Sequence, residues 1–229
     1  MKILAIDTSG VVAAVAVTCD GVLLGEYTLN HGLTHSQRLL PMVDELLKAL
    51  SLDISDIDIF ACSTGPGSFT GLRIGIATVK GFAFAQNKPC VSVSGLEAMA
   101  YNHLYTDYLI CPLMDARAGQ VYNAVYKRFR GGLAVVTPPR AVEIGTVVDE
   151  LKGSDKKVLF VGDGVKPNLE AINQLGSRAV IGALNNNMQR AASIALAAEI
   201  KVRAGELLSG GELEAEYLRK SQAEREAGR

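Results

Sequence analysis

Three short runs of apolar, largely β-branched residues open the chain, and they restrict its fold more than any other feature. They cover residues 2–7, 11–18 and 22–29. The second and third runs are joined by Asp20-Gly21, and both residue types tolerate the positive φ angles of a tight hairpin turn. The pattern therefore predicts an antiparallel meander of three strands at the start of the chain.

Helices and strands are expected to alternate after this meander. Thr34-His35-Ser36-Gln37 matches a capping box that would start a helix, and the apolar residues from 39 to 50 recur at helical spacing. Pro41 lies inside this stretch and predicts a kink, or a helix that begins properly only there. The elements expected next are a strand over 57–63, a helix over 72–86, a strand over 91–93, and a helix from the Ser94-Gly95-Leu96-Glu97 capping box toward His103.

The second half of the chain repeats this order in a shorter form. The expected elements are strands over 108–114, 121–128 and 133–136, a helix over 144–151, a strand over 158–161, and helices over 168–175 and 189–204. Asp115 closes the first strand of this half as Asp7 closes the first strand of the chain, which favours an internal repeat. We predict a first lobe over 1–104, a shortened second lobe over 105–210 whose last helix can pack back on the first, and a charged tail over 211–229 that is frayed from Glu212 onward.

Composition excludes several classes of function. The 229 residues are 48% hydrophobic and 21% charged, which is typical of a globular protein. A formal net charge of -1 without a cluster of Lys or Arg argues against independent binding of nucleic acid. Four cysteines without CxxC spacing, Cys19, Cys62, Cys90 and Cys111, predict reduced core residues. With no apolar run of membrane-spanning length, we expect a cytoplasmic protein that is not bound to a membrane.

Two segments carry residue types suited to phosphate chemistry. Asp7, Thr8 and Ser9 end the first strand, where a carboxylate and two hydroxyls could hold a magnesium ion and a phosphate oxygen, or where Asp7 could form an Asx-turn. Residues 65–71 link a strand to a helix N-terminus, where free amides can bind an anion. The alternative is that Gly65, Gly67 and Gly71 permit close backbone packing, while Ser68 or Thr70 caps the helix. The Lys of a Walker A loop is absent, since Leu72 follows Gly71.

Other candidate catalytic or metal-binding residues have less support. His31 and His35 are four residues apart, which suits metal binding on one helix, but Gly32 and Thr34 place them across a helix start, and we expect no metal site. Ser68 lacks an assignable His base for use as a nucleophile. Arg117, which follows Asp115-Ala116, is expected to neutralise Asp115 rather than leave it free for magnesium.

Four motifs together resemble the bacterial TsaB (YeaZ) family. They are ILAIDTS from Ile3, HSQRLLPMV from His35, STGPGSFTGLRIG from Ser63 and MDARAGQVY from Met114. The resemblance runs in order through nearly all of the first 127 residues, and GPGSFTGLRIG is its most specific part. Near the end, Tyr217-Leu218-Arg219 resembles the closing YLR of the family, although Ala215 stands where the family usually has Pro.

The resemblance implies an α/β fold of the actin/Hsp70/sugar-kinase type with two lobes, the second abridged. It also implies a part in making threonylcarbamoyladenosine beside the anticodon of tRNAs that read codons beginning with A. In that family, the chain is a noncatalytic partner of TsaD and works with the ATPase TsaE, while another enzyme makes threonylcarbamoyl-adenylate. Such a chain needs no cofactor of its own, with ATP or ADP possible only at the interface of the complex, and meets tRNA only through the complex.

The resemblance further implies that the first-lobe helices pack against TsaD, or against a second copy in a homodimer when TsaD is absent. The residues predicted at this interface are His35, Leu39, Leu40, Val43, Leu47, Ile76, Val79, Lys80 and Ala83. A vestigial phosphate loop would comprise Asp7, Thr8, Ser9, Gly65, Gly67, Ser68, Thr70 and Gly71. Two alternatives remain open: an autonomous nucleotide-binding enzyme of the kinase type that uses Asp7 and the 65–71 loop, and a peptidase that uses Ser68.

Overall fold

Two five-stranded mixed sheets form the framework in the computed structural model, which describes residues 1–31 and 35–219. The first sheet contains β1 (Lys2–Asp7), β2 (Ala13–Cys19), β3 (Val22–Leu29), β4 (Ile59–Gly65) and β5 (Cys90–Ser94), in the order β3-β2-β1-β4-β5. The second contains β6 (Leu109–Asp115), β7 (Gln120–Phe129), β8 (Gly132–Glu143), β9 (Val158–Val161) and β10 (Ala179–Ile181), in the order β10-β9-β6-β7-β8.

The two sheets have the same internal plan. In each, the first strand of its half lies at the centre, pairs antiparallel with the second strand and pairs parallel with the fourth. The second strand pairs antiparallel with the third in both halves. The expected meander is present, and Asp20 and Gly21 take φ angles of 48° and 80° in its first hairpin. The internal repeat therefore corresponds to a repeated sheet topology.

Helices cover both faces of the first sheet. The helices of the chain are α1 (His35–Ala49), α2 (Phe69–Gln86), α3 (Gly95–Tyr101), α4 (Ile144–Lys152), α5 (Leu169–Ile172) and α6 (Ala191–Arg203). Leu4 and Ile6 of β1 face α1 and α2, whereas Ile3 and Ala5 face α6 on the opposite side. Because β1 is buried on both faces, its sequence is apolar at every position between Lys2 and Asp7.

Helix α3 lies between the two sheets. Ala98 and Tyr101 pack into the core beneath the first sheet with α6. Leu96, Met99 and Ala100 pack instead against the second sheet, in a core that includes Ile110 and Leu159. The other face of the second sheet is covered by α4, α5 and the turns that flank α5. One short helix thus joins the cores of both halves.

Helix α1 begins at His35 and continues through Pro41, so the expectation that it begins only at Pro41 is wrong. The loss of one backbone hydrogen bond at Pro41 is outweighed by burial of an apolar stripe along the helix, which includes Leu39, Met42 and Leu46. The capping box proposed at Thr34 involves a residue outside the described part of the chain. In the second box, the Ser94 hydroxyl accepts from the backbone N–H of Glu97, which is one of the two bonds of a capping box.

The second half differs from the expected elements in three places. The helix expected over 168–175 is α-helical only over Leu169–Ile172 and is flanked by 3-10 turns. Strand β10 was not expected. Strand β8 extends to Glu143 across Pro138-Pro139, and the sheet tolerates these prolines because β8 is an edge strand, where a missing N–H need not break a ladder.

Residues 212–219 pack against the first lobe, in contrast to what the charge pattern predicts. Leu213 is fully buried in the core beneath α1 and α2, and Ala215 packs against the same core. The expectation of a frayed end from Glu212 is therefore wrong for residues 212–219, because apolar side chains dock between the charged ones. Across the described residues, no helix is both long enough and apolar enough to span a membrane.

Candidate functional site

Asp7 and Ser9 form a tight turn at the end of β1. One carboxylate oxygen of Asp7, Oδ1, accepts from the backbone N–H of Ser9 at 2.9 Å and from its hydroxyl at 2.7 Å. The carboxyl group is fully buried, and this burial raises the pKa of Asp7 to about 6. The bond to the backbone two residues on is an Asx-turn, so the geometry matches the structural interpretation of Asp7.

The glycine loop, residues 65–71, lies directly on this turn. The backbone N–H of Ser68 donates to the carbonyl oxygen of Ser9 at 2.7 Å, and the Thr8 hydroxyl donates to the carbonyl oxygen of Gly71 at 2.8 Å. A Cβ atom on Gly67 or Gly71 would lie less than 3.0 Å from the carbonyl oxygen of Ser9 or Thr8, respectively. Glycine is therefore required for this backbone-to-backbone contact.

Ser68 also starts α2. Its hydroxyl oxygen accepts from the backbone N–H of Gly71 at 3.3 Å, which is an N-cap contact. The hydroxyls of Thr8, Ser9 and Ser68 are thus each engaged within the first lobe. The structure brings together all the residues predicted for the vestigial phosphate loop, with Gly65 at the end of β4 and Thr70 in the first turn of α2.

The second half presents a related turn at the end of β6. Asp115 Oδ1 accepts from the backbone N–H of Arg117 at 2.8 Å, an Asx-turn like that of Asp7. The contact to Asp115 that was expected from the Arg117 side chain comes instead from the backbone of that residue. Asp163 lies nearby, and burial, assisted by the negative charge of Asp115, raises the pKa of Asp163 to about 6.

A cleft of about 470 Å³ separates the two turns. Its first-lobe wall includes Ser9, Ser68 and Thr70, and its second-lobe wall includes Asp115 and Asp163. Tyr217 and Arg219 of the chain end also line it. The cleft thus combines a helix N-terminus on one side with two carboxylates on the other.

Two of the three histidines, His35 and His103, contact backbone carbonyl oxygens. His35 Nε2 lies 2.9 Å from the carbonyl oxygen of Gly10, and His103 Nε2 lies 3.0 Å from that of Asn186. Since a carbonyl can only accept, Nε2 carries the proton in both rings. His31 is exposed. Within residues 1–31 and 35–219, no three His, Cys, Asp or Glu side chains are grouped so that they could hold a metal ion.

Two halves of equal sheet topology around a cleft, each with a carboxylate turn at the end of its central strand, define the class of this protein. It is an α/β protein of the actin/Hsp70/sugar-kinase-like fold. A ROK hexokinase from Thermus thermophilus shares this fold, with a TM-score of 0.51 at 13% sequence identity over 90% of this chain and 100% of that one.

More similar proteins identify the family. A family model described as TsaD, tRNA N6-adenosine threonylcarbamoyltransferase, matches residues 31–227. The tRNA threonylcarbamoyladenosine biosynthesis protein TsaB of Bacillus subtilis (strain 168) is 34% identical over 225 residues, which are 98% of this chain and 96% of that protein. YeaZ from Pseudomonas aeruginosa has a TM-score of 0.83 at 28% identity and covers 95% of this chain and 99% of its own. The chain belongs to the TsaB (YeaZ) family.

The structure corrects the choice of interface residues. Six of the nine predicted residues are buried in the core of this chain and cannot face a partner in this conformation: Leu39, Val43, Leu47, Ile76, Val79 and Ala83. Leu40 is exposed, whereas His35 and Lys80 are half-buried. The spacing of apolar residues identified the stripe that faces the sheet, which is the stripe with the greatest burial.

The outward positions on the same helices include Leu40 on α1 and Ala77, Gly81 and Phe84 on α2, which we call the outer helix face. Phe84 is 89% exposed and Leu40 is 54% exposed. Sequence reasoning missed three of these four residues. One signal was available in the sequence. Helix α2 is apolar on nearly every side, so the side that points away from the sheet is also apolar.

Gly71→Ala is expected to lower the free energy of unfolding by about 1–3 kcal/mol, because the added methyl group must displace the Thr8 carbonyl or the start of α2. Gly81 provides a control in the same helix, since a Cβ there meets nothing within 4 Å. Gly81→Ala is expected to be neutral or to stabilise the chain by up to about 1 kcal/mol. Urea denaturation measures both variants, and equal stabilities would contradict the close contact at Gly71.

Asp7→Asn is expected to flatten part of the pH dependence of stability. Below a pH of 3.8, the Asp7 carboxyl is protonated in both the folded and the unfolded chain. Between 3.8 and about 6, the unfolded chain ionises first, so the free energy of unfolding falls as pH rises, and the loss persists at higher pH. Asn at position 7 keeps an oxygen for the Ser9 bonds and does not titrate.

The measurement is urea denaturation of the wild type and Asp7→Asn at several pH values between 4 and 7.5. The stability of the wild type relative to the variant should fall by about 2–3 kcal/mol across this range. Asp163 titrates in the same window, but its contribution is present in both proteins and cancels in the difference. Parallel stability curves would show that Asp7 has an ordinary pKa.

Proposed function

We propose that this chain is a noncatalytic partner subunit that binds TsaD and activates it in threonylcarbamoyl transfer to tRNA. The accepting adenosine is the one next to the anticodon in tRNAs that read codons beginning with A. The observation that carries the proposal is the similarity to TsaB over 98% of the chain. The match to a TsaD family model supports a partner of homologous fold, since proteins of one fold can pair through equivalent surfaces.

The outer helix face supports this proposal. Phe84 is 89% exposed and lies at helical spacing from the exposed Ala77 and Gly81, and a contiguous exposed apolar patch is typical of an interaction surface. Small side chains at Ala77 and Gly81 allow another helix to approach α2 closely, and Leu40 extends the apolar surface to α1. The partner helices would be those of TsaD, or those of a second copy in a homodimer when TsaD is absent.

The state of the glycine loop supports a noncatalytic role. The hydroxyls of Thr8, Ser9 and Ser68 bond within the chain, and Asp7 is engaged in an Asx-turn. A nucleotide would therefore be held in the complex rather than by this chain alone. TsaE would join the TsaD complex, tRNA would be bound through that complex, and the reaction would take place in the cytoplasm.

One observation favours a second candidate, an autonomous nucleotide-binding enzyme of the kinase type. The cleft places the N-terminus of α2 opposite Asp115 and Asp163, and such a site could accept a magnesium-bound phosphate. Isothermal titration of the isolated chain with ATP and magnesium distinguishes the two candidates. Micromolar or tighter binding would favour the enzyme, whereas the partner-subunit proposal expects no such binding.

The proposal is tested by reconstitution. Threonylcarbamoyl transfer to tRNA is measured in a mixture of TsaD, TsaE, the adenylate-forming enzyme, ATP, threonine and bicarbonate, with and without this chain. Modification is expected only when the chain is present, and the chain alone should show no turnover. Equal modification in its absence would refute the proposed role.

Charges on the outer helix face are expected to prevent assembly without unfolding the chain. Leu40→Asp, Ala77→Asp and Phe84→Asp each place a carboxylate at an exposed position. Each should weaken binding to TsaD at least about tenfold, since an unpaired charge would be buried in the interface. Leu184→Asp is the control, because Leu184 is an equally apolar residue that is 97% exposed in the second half. Size-exclusion chromatography and calorimetry measure binding.

Unchanged affinity in all three variants would exclude this face as the interface. Thermal unfolding of the same variants is expected to resemble that of the wild type. A charge at Val43 or Val79 would give no such test, because both side chains lie in the core and the chain would unfold.

A further inference from the structure

We propose that the tail segment, residues 208–219, is a strap that holds the two lobes together across the cleft in the absence of a ligand. In proteins that close around a ligand, the ligand itself bridges the two sides of the cleft. Here the chain supplies bridging contacts from its own C-terminal region. This inference concerns the isolated chain and does not depend on the proposed function.

The tail segment is first anchored along the edge of the first sheet. Leu208 and Cys90 exchange two backbone hydrogen bonds, of 2.8 and 2.9 Å, which adds one antiparallel bridge beside β5. Leu213 is then fully buried in the core beneath α1 and α2. The backbone N–H of Glu216 donates to the carbonyl oxygen of Thr64 at 2.8 Å, immediately before the glycine loop. These contacts bring the segment to the mouth of the cleft.

Tyr217 fixes the segment to the start of α2. Its ring stacks on that of Phe69, with ring centroids 4.2 Å apart and an angle of 21° between the planes. Arg73 lies over the Phe69 ring at 4.1 Å, and its Nε donates to the Tyr217 hydroxyl oxygen at 3.2 Å. Stacking, a cation–π contact and a hydrogen bond thus hold Tyr217 on the first-lobe wall of the cleft.

Arg219 crosses to the other lobe. Its Nη1 donates to the carbonyl oxygen of Ala116 and, at 3.1 Å, to that of Arg117. Both carbonyls belong to the turn after β6, the second-lobe counterpart of the Asp7 turn. A guanidinium shared by two carbonyls forms charge-assisted hydrogen bonds, which are stronger than neutral ones. Two residues of the tail segment, 217 and 219, therefore bind opposite walls of the same cleft.

The consequence is a preset angle between the lobes. Contacts at the base join the halves, through α3 in both cores and through the crossing from β10 to α6, where His103 contacts the carbonyl oxygen of Asn186 at 3.0 Å. The strap closes the open side. Loss of the strap leaves only these base contacts to hold the lobes together, so the population of open conformations should rise on the order of tenfold. The strap also lies over the glycine loop and so limits access to it.

The test uses the full-length chain with spin labels at Val11→Cys and Lys166→Cys. Val11 is an exposed residue on the first-lobe rim, and Lys166 is an exposed residue three positions after Asp163 on the second-lobe wall. Cys19→Ser removes the cysteine with partial exposure, while Cys62, Cys90 and Cys111 are buried. Double electron–electron resonance gives the distance distribution between the labels.

Tyr217→Ala/Arg219→Ala is expected to give a longer and broader distance distribution than the strap-intact chain. Tyr217→Phe keeps the stacked ring and should give a distribution close to the strap-intact one. Arg128→Ala is the matched control, because Arg128 is an exposed arginine that lies over the Tyr105 ring and not across the cleft. An unchanged distribution in the double variant would overturn the proposal.

A second measurement, hydrogen exchange, distinguishes release of the strap from unfolding of the variant. Leu213 is retained in all variants, so the core anchor of the segment stays in place. Hydrogen exchange of the Glu216 amide should accelerate at least about tenfold in the double variant, because the end of the strap is released. Amides of β1 should keep the exchange rate of the wild type. If the double variant fails to fold, the same two measurements on Arg219→Ala alone decide the question, and an unchanged distance distribution again refutes the strap.

Discussion

The structure depends on a direct backbone contact between the glycine loop and the turn that ends β1, with no side chain between them. The glycine loop lies on the turn that ends β1, and Ser68 donates to the carbonyl oxygen of Ser9 across this contact. Gly67 and Gly71 make the approach possible, since a Cβ at either position would overlap a carbonyl oxygen. The contact fixes where α2 begins. Helix α2 carries Phe69, on which Tyr217 stacks, and most of the outer helix face.

The same contact explains why Asp7 is buried. With the glycine loop covering the turn, the carboxyl group is removed from water and its pKa rises, while one of its oxygens keeps the bonds to Ser9. Asp115 ends the equivalent strand of the second half but is exposed, and its turn bonds a backbone amide in the same way. The two halves therefore share a backbone plan, but the surroundings of their carboxylates differ. The glycine loop covers the Asp7 turn, whereas Gly162 and Gly164 of the second half pack against the backbone of Leu113 and leave Asp115 exposed.

Sequence reasoning succeeded where a local pattern determines the structure. Asp20-Gly21 predicted the hairpin because positive φ is needed at both residues, and the order of elements predicted the repeated sheet. It failed where distant packing decides. The resemblance implied an interface on α1 and α2, but the spacing of apolar residues could not distinguish the outward stripe from the inward one. Val43 and Val79 were predicted there, although these positions face the sheet. Sequence reasoning also read the charged residues after Glu212 as a frayed end, because it could not show that Leu213 has a place in the core.

If both proposals hold, this chain binds its partner through the outer helix face, and the cleft between its lobes is bridged by residues of the chain itself. A kinase of this class uses the space between its lobes, and its ligand brings the lobes together. In this chain, Tyr217 and Arg219 occupy the mouth of that space and bind both walls, so closure needs no ligand. The strap also packs against the first lobe itself, with Leu213 in the core beneath α1 and α2 and Tyr217 on Phe69. These contacts favour a rigid α1 and α2, and a rigid surface loses less conformational entropy when it binds a partner. Phe69 and Arg73, which hold Tyr217, share one side of α2 with Ala77 and Phe84 by helical spacing. The strap would then support the end of α2 next to the outer helix face.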